Sequence, residues 1–190
     1  MDSAQKKLLE WNEDVLNYHL PRWEELPDLE LYRDQVIYYI EQNVQIFSDD
    51  PEEKILTPSM INNYVKLKLI PKPVKKRYNK VHLAYLMAIC ILKQVVTIEK
   101  IRDGIIFQAQ INGRKNAYNL FCEEQEKALK SIMTQIISGN EETILYTDIN
   151  IENLTVKMAT MAFASKTIAE KTVKLQKNFI NNKKGEEQDE

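Results

Sequence analysis

The sequence predicts an all-α protein, and three observations carry that expectation. Glycine is scarce at four residues and proline at six, so few positions interrupt a helix. Good helix formers such as Leu, Lys, Glu, Gln and Met are plentiful. Apolar residues also recur with a 3.6-residue period along the whole chain. The 190 residues suffice for one domain or two small ones.

Each element has its own signals. Ser3 is a helix cap, followed at helical spacing by Leu8, Trp11, Val15 and Leu16, and the helix ends before Pro21. Asp28 is expected to cap a second helix with Leu29, Tyr32, Val36, Ile37, Tyr39, Ile40 and Val44 inward. Residues 48–54 read as an acidic loop. Thr57-Pro58 is a strong helix start: threonine supplies the cap oxygen, and proline is tolerated where its missing N–H would be unpaired. That helix is expected over 58–67 and must stop before Pro71. Residues 71–77 hold two prolines and four basic side chains and read as an exposed loop or short hairpin.

Asn79 caps the next helix, apolar through Leu83, Leu86, Met87, Ile89, Cys90 and Leu92. Thr97 opens another, with Ile98, Ile101, Ile105, Ile106 and Ala109 inward, ending near Asn112-Gly113. Residues 115–138 form one long amphipathic helix through Tyr118, Phe121, Cys122, Leu129, Ile132, Met133, Ile136 and Ile137. A connector with a short extended piece is expected over 141–148. From 151 to about 181 there is neither glycine nor proline. There Leu154, Met158, Met161, Ser165, Ile168, Thr172, Leu175 and Phe179 alternate in steps of four and three, a coiled-coil-like seam with two polar members. The organisation expected is a helical DNA-binding domain over 1–113 with its core at about 54–112. A helical dimerisation or effector region follows over 114–182, then a disordered polar tail over 183–190.

Charge is segregated. Residues 51–102 hold eleven basic and three acidic side chains; residues 1–50 hold four basic and twelve acidic ones. A near-neutral total of −2 therefore hides a basic module behind an acidic one, and a basic helix and hairpin point to nucleic acid. The longest apolar run, 83–92, is too short to span a bilayer. No export signal is evident, so the cytoplasm is the expected location. Cys90 and Cys122 lack metal-ligand spacing and read as reduced thiols. His19 and His82 are unlinked, adjacent glutamates point apart on a helix, and no phosphate loop or nucleophile elbow is present. Neither an enzyme nor a cofactor is expected.

The run TPSMINNYVKLKLIPKP, followed by KRYNKVHLAYLMAICILK and TIEKI, resembles the winged helix-turn-helix of MerR-type transcription regulators. It resembles still more closely an uncharacterised bacterial regulator family built around LTxxMINNY, KPxKKxY and a following His. The resemblance covers the middle third of the chain. It implies a recognition helix ending in Tyr64 and the Leu-rich turn 67–71, a wing closing at Arg77-Tyr78, and a next helix starting at His82-Leu83. Thr97, Ile98 and Ile101 would open a last short helix. Three departures stand out: Lys68 replaces the usual glycine after the recognition helix, Asn62 replaces an arginine, and no metal-binding cysteines follow. A MerR-type metal sensor is therefore not expected.

The residues support the same interface. Ile61, Tyr64 and Val65 share the inward side of the 58–67 helix, with Ser59, Asn62, Asn63 and Lys66 opposite. Asn reads adenine bidentately, and Ser and Lys add adaptable donors. The DNA-contacting set expected is Ser59, Asn62, Asn63, Tyr64 and Lys66 on the helix, with Lys72, Lys75, Lys76 and Arg77 on the wing. The partner is double-stranded DNA, bound by a homodimer held through Leu154, Met158, Met161, Ile168, Leu175 and Phe179. Met158, Met161 and Phe163 amid small residues leave room for a small-molecule effector. The alternative is a helical protein-interaction module whose basic patch meets an acidic partner.

Overall fold

The computed structural model describes residues 3–48, 50, 52–138 and 150–186. They form α1 (Ser3–Asn17), α2 (Arg33–Val44), a 3-10 turn (Gln45–Phe47), α3 (Pro58–Lys66), α4 (Lys80–Leu92), α5 (Ile98–Ser138) and α6 (Leu154–Glu186). The all-α class is as the sequence predicts. No helix among the described residues is long and apolar enough to cross a membrane. The extended piece expected over 141–148 lies outside the described residues.

Local chemistry sets the helix starts. Thr57 Oγ1 accepts the Met60 N–H at 3.2 Å, with Pro58 in the first turn. Asn79 Oδ1 accepts the Val81 N–H at 3.1 Å, and His82 Nδ1 accepts the Asn79 N–H at 3.1 Å. Asn150 and Asn153 exchange side-chain and backbone hydrogen bonds, each of 3.0 Å, ahead of α6. Gly113, at φ 73° and ψ 157°, breaks α5 into limbs 98–112 and 114–138, at the stop the sequence marks.

Helix α4 is the centre. It is apolar all round, burying Leu83, Leu86, Met87, Ile89, Cys90 and Ile91, as a helix covered on every side must be. Helices α2, α5 and α6 pack on it. One apolar core runs from Leu20 and Leu26 through α4 to Tyr118, Phe121 and Phe163, and so crosses the junction at residue 113. A second cluster joins Trp11 and Val15 of α1 to Leu129 and Met133 of α5 and to Ala164 and Ile168 of α6.

Three expectations change. First, α2 begins at Arg33, and Leu29 and Tyr32 are exposed. Leu31 instead makes an antiparallel backbone pair with Tyr78, Leu31 N–H to Tyr78 O at 2.7 Å and Tyr78 N–H to Leu31 O at 2.9 Å. Two hydrogen bonds from a distant segment, with Leu31 buried, outweigh a local helical preference.

Second, the buried face of α6 is not the predicted seam. It runs through Lys157, Thr160, Phe163, Ala164, Thr167 and Ile168, packed within its own chain. Met158 is exposed, Leu154, Met161 and Leu175 are partly covered, and only Ile168 of the expected set is buried. The Phe179 side chain lies outside what is described. Phe163 is fully inside, so it offers no effector surface. The shift follows from Lys157, whose ammonium meets Glu124 at 2.9 Å in the interior. Third, α6 continues to Glu186, through residues expected to begin the tail.

Candidate nucleic-acid interface

Helix α3 buries Ile61 and Tyr64 and turns Ser59, Asn62, Asn63 and Lys66 outward, all four exposed. Tyr64 therefore leaves the set of expected DNA contacts. It shares the Ile61 side of the helix, and burial raises its phenol to about 12, so it is a core residue.

The helix ends in a Schellman turn. The Leu69 N–H reaches Tyr64 O at 2.8 Å and the Lys68 N–H reaches Val65 O at 3.0 Å. This turn needs a left-handed residue, and Lys68 supplies it at φ 57°. Lysine here takes the conformation that glycine adopts most easily, at a cost of about 1 kcal/mol. It also places a cation just past the exposed face of α3.

The segment 72–77, expected as a wing, is a hairpin. Val74 and Arg77 form an antiparallel bridge, the Arg77 N–H reaching Val74 O at 2.8 Å. Between them Lys75 (φ 48°) and Lys76 (φ 61°) are both left-handed. Two adjacent positive φ values in a two-residue hairpin are the pattern for which Asn-Gly is the favoured sequence. Two lysines here store about 1 kcal/mol of strain each. The hairpin base is fixed by the Leu31–Tyr78 pair, by burial of Tyr78, and by an edge-to-face contact between Tyr78 and His82 at 5.3 Å. Burial also lowers the His82 pKa, opposed in part by backbone groups of Pro71 and Asn79.

The expected contacts differ in freedom. Lys72, Lys75 and Lys76 are exposed. The Arg77 guanidinium instead lies 3.5 Å over the exposed ring of Tyr32, a cation–π contact that steadies it at the wing base. A groove of about 500 Å³ beside α3 is lined by Lys66, Lys68, Lys72 and Arg102, with Leu69 and Ile105 beneath. Lys68 and Arg102 were not among the sequence-derived candidates. Lys68 sits in the basic run, where the sequence marks it only as the residue in place of a glycine. Arg102 lies on α5, and nothing in the sequence ties it to α3.

Three carboxylates of the acidic N-terminal segment form ion pairs: Glu24 with Lys115, Glu25 with His19 at 2.7 Å, and Asp28 with Lys80 at 3.7 Å. Both thiols, Cys90 and Cys122, are buried, and burial pushes each up to about 12.

Fold and site together define an all-helical protein with an exposed, lysine-rich helix-and-hairpin face. The chain belongs to the DUF1836 family, a domain of unknown function, whose model matches residues 21–124. That span holds α2, α3, the wing, α4 and most of α5, and excludes α1 and α6. No curated protein and no solved structure matches the chain.

Proposed function

We propose that this protein is a sequence-specific, DNA-binding transcription regulator of the winged helix-turn-helix kind, akin to MerR-type regulators, acting as a homodimer. One observation carries the reading. Ser59, Asn62, Asn63 and Lys66 share one exposed face of α3 beside a hairpin whose strained tip presents two lysines. In this reading α3 enters the major groove and its asparagines read base edges. Lys68, Lys72, Lys75 and Lys76 meet phosphates on either side. The strain supports the role: an Asn-Gly tip would be more stable, so lysine there serves something other than stability. The α2–α3 connection, residues 45–57, is longer than the three- or four-residue turn of the simplest helix-turn-helix. The angle between the two helices is therefore held by the core and by Lys93 Nζ, which donates to Ile55 O at 2.7 Å.

Dimerisation is assigned to the outer side of α6, where Met158, Val173 and Ile180 are exposed. A two-fold mate would set two α3 helices about one DNA turn apart, so the site should be an inverted repeat.

The test is binding to a duplex library at fixed salt, followed by sedimentation of the full chain. Selective enrichment of an inverted repeat by a dimer is the expected result. The same exposed lysines also fit an acidic protein partner. Equal binding to every duplex would favour that second reading, because only base readout discriminates among sequences.

A further inference from the structure

A cavity of about 320 Å³ lies between α4, both limbs of α5 and the start of α6. Its wall is largely apolar, built from Ala88, Leu92, Ile105, Phe107, Tyr118 and Val156. The volume falls in the range of small-molecule sites. Water filling such a wall finds few hydrogen-bond partners. Gly104 lines the space, and a Cβ added there meets no atom within 4 Å, so a larger side chain at this position has room to grow into it.

Charge at the mouth is asymmetric. Lys100, Arg114 and Asp103 line it. Asp103 is engaged by Arg102, with Nη2 to Oδ1 at 3.0 Å. Among the described residues neither Lys100 nor Arg114 has an ion-pair partner. An apolar chamber with two unspent cations at its rim fits a molecule with an apolar body and one anionic end.

We propose that this cavity binds a small amphipathic monocarboxylate, such as a medium-chain fatty acid or an arylalkanoic acid. The hydrocarbon lies against Leu92, Phe107 and Tyr118, and the carboxylate meets Lys100 and Arg114. Residues from both sides of the Gly113 break line the site, so the ligand bridges the limb next to α3 and the limb packed on α6. The binding site itself does not depend on the DNA reading.

The test is calorimetry and thermal denaturation of the full chain without DNA. The probes are decanoate and 4-phenylbutyrate, each against the matching alcohol and a quaternary ammonium of equal length, all below micellar concentration. Carboxylates should bind saturably and raise the melting temperature. The alcohols should bind about ten-fold more weakly, and the cations more weakly still. Gly104→Leu fills the chamber and should abolish binding while leaving the unliganded protein folded. Lys100→Gln with Arg114→Gln alters only exposed side chains, and should erase the preference for carboxylate over alcohol with alcohol affinity unchanged. No binding by any probe, equal binding of all three head groups, or an intact carboxylate preference in the double variant would overturn the proposal. Because DNA is absent, failure here says nothing against the DNA reading.

Discussion

Around the second limb of α5, opposite charges are matched at close range. Arg22 meets Glu126 at 2.7 Å, and Glu126 also takes the Leu20 N–H at 2.8 Å. Lys157 meets Glu124 at 2.9 Å in the interior, and Lys115 meets Glu24. On α3 and the wing, Lys66, Lys68, Lys72, Lys75 and Lys76 stand in solvent, and the backbone is strained at three of these lysines. One region spends its charge on holding the chain together. The other keeps its charge available and gives up stability to do so. This contrast, more than the net charge of either segment, separates the two regions.

The largest effect should come from the scaffold side. Lys157→Met leaves Glu124 buried without its cation and should cost about 3–5 kcal/mol in urea unfolding. The double change Lys157→Met with Glu124→Leu should recover most of it, because two apolar residues replace the pair. Duplex affinity of the folded fraction should not move. A comparable stability loss on neutralising Lys66 would erase the contrast.

Next in size is base reading. Asn62→Ala or Asn63→Ala should weaken cognate binding by about 1–3 kcal/mol and leave random duplexes unaffected. Equal loss on both classes of duplex would reject the role.

The wing tip sharpens the comparison because its two effects have opposite signs. Lys75→Asn with Lys76→Gly should stabilise the fold by about 1 kcal/mol. The same change should lower the log–log salt slope of binding by about two, one for each lost phosphate contact. A tip that gains stability with an unchanged slope would mean the lysines point away from the duplex.

The smallest effect concerns acid. The Lys115 ammonium, with backbone and Asn119 hydrogen bonds, holds the Glu24 carboxyl at about 2. Burial would raise Glu126, but the Arg22 guanidinium and Leu20 N–H outweigh it, so it too lies below its ordinary 4.5. Both folded values are depressed. Their stabilisation is therefore complete above about pH 4.5 and is lost as pH falls through the folded values toward 2. Melting temperature should drop over that window, and Glu126→Gln should make the drop shallower.

Much of this was legible in local chemistry. Thr57-Pro58, Asn79 and Gly113 mark boundaries through their own side chains or their lack of one, and the apolar run of α4 marks a central helix. The exposed face of α3 follows from helical phase alone, which also places Tyr64 inward, against its inclusion in the expected contact set. What escaped depended on distant partners. Leu31 leaves the expected helix because Tyr78 is waiting for it. Lys157, Thr160 and Thr167 face inward on α6, and the partner of Lys157, Glu124, lies on another helix and leaves no mark in the local pattern. The strain at Lys75 and Lys76 was hidden because the sequence carries neither Asn nor Gly at the tip.

The Leu31–Tyr78 pair has a consequence for the order in which the chain is made. Both partners are synthesised well before Glu126, so this edge can close before that carboxylate exists. The Leu20 N–H, in contrast, waits for Glu126. A nascent chain therefore completes its basic hairpin while the acidic connector is still unclamped, and a truncated product starting after residue 31 would carry every wing lysine on a hairpin with no edge to lean on.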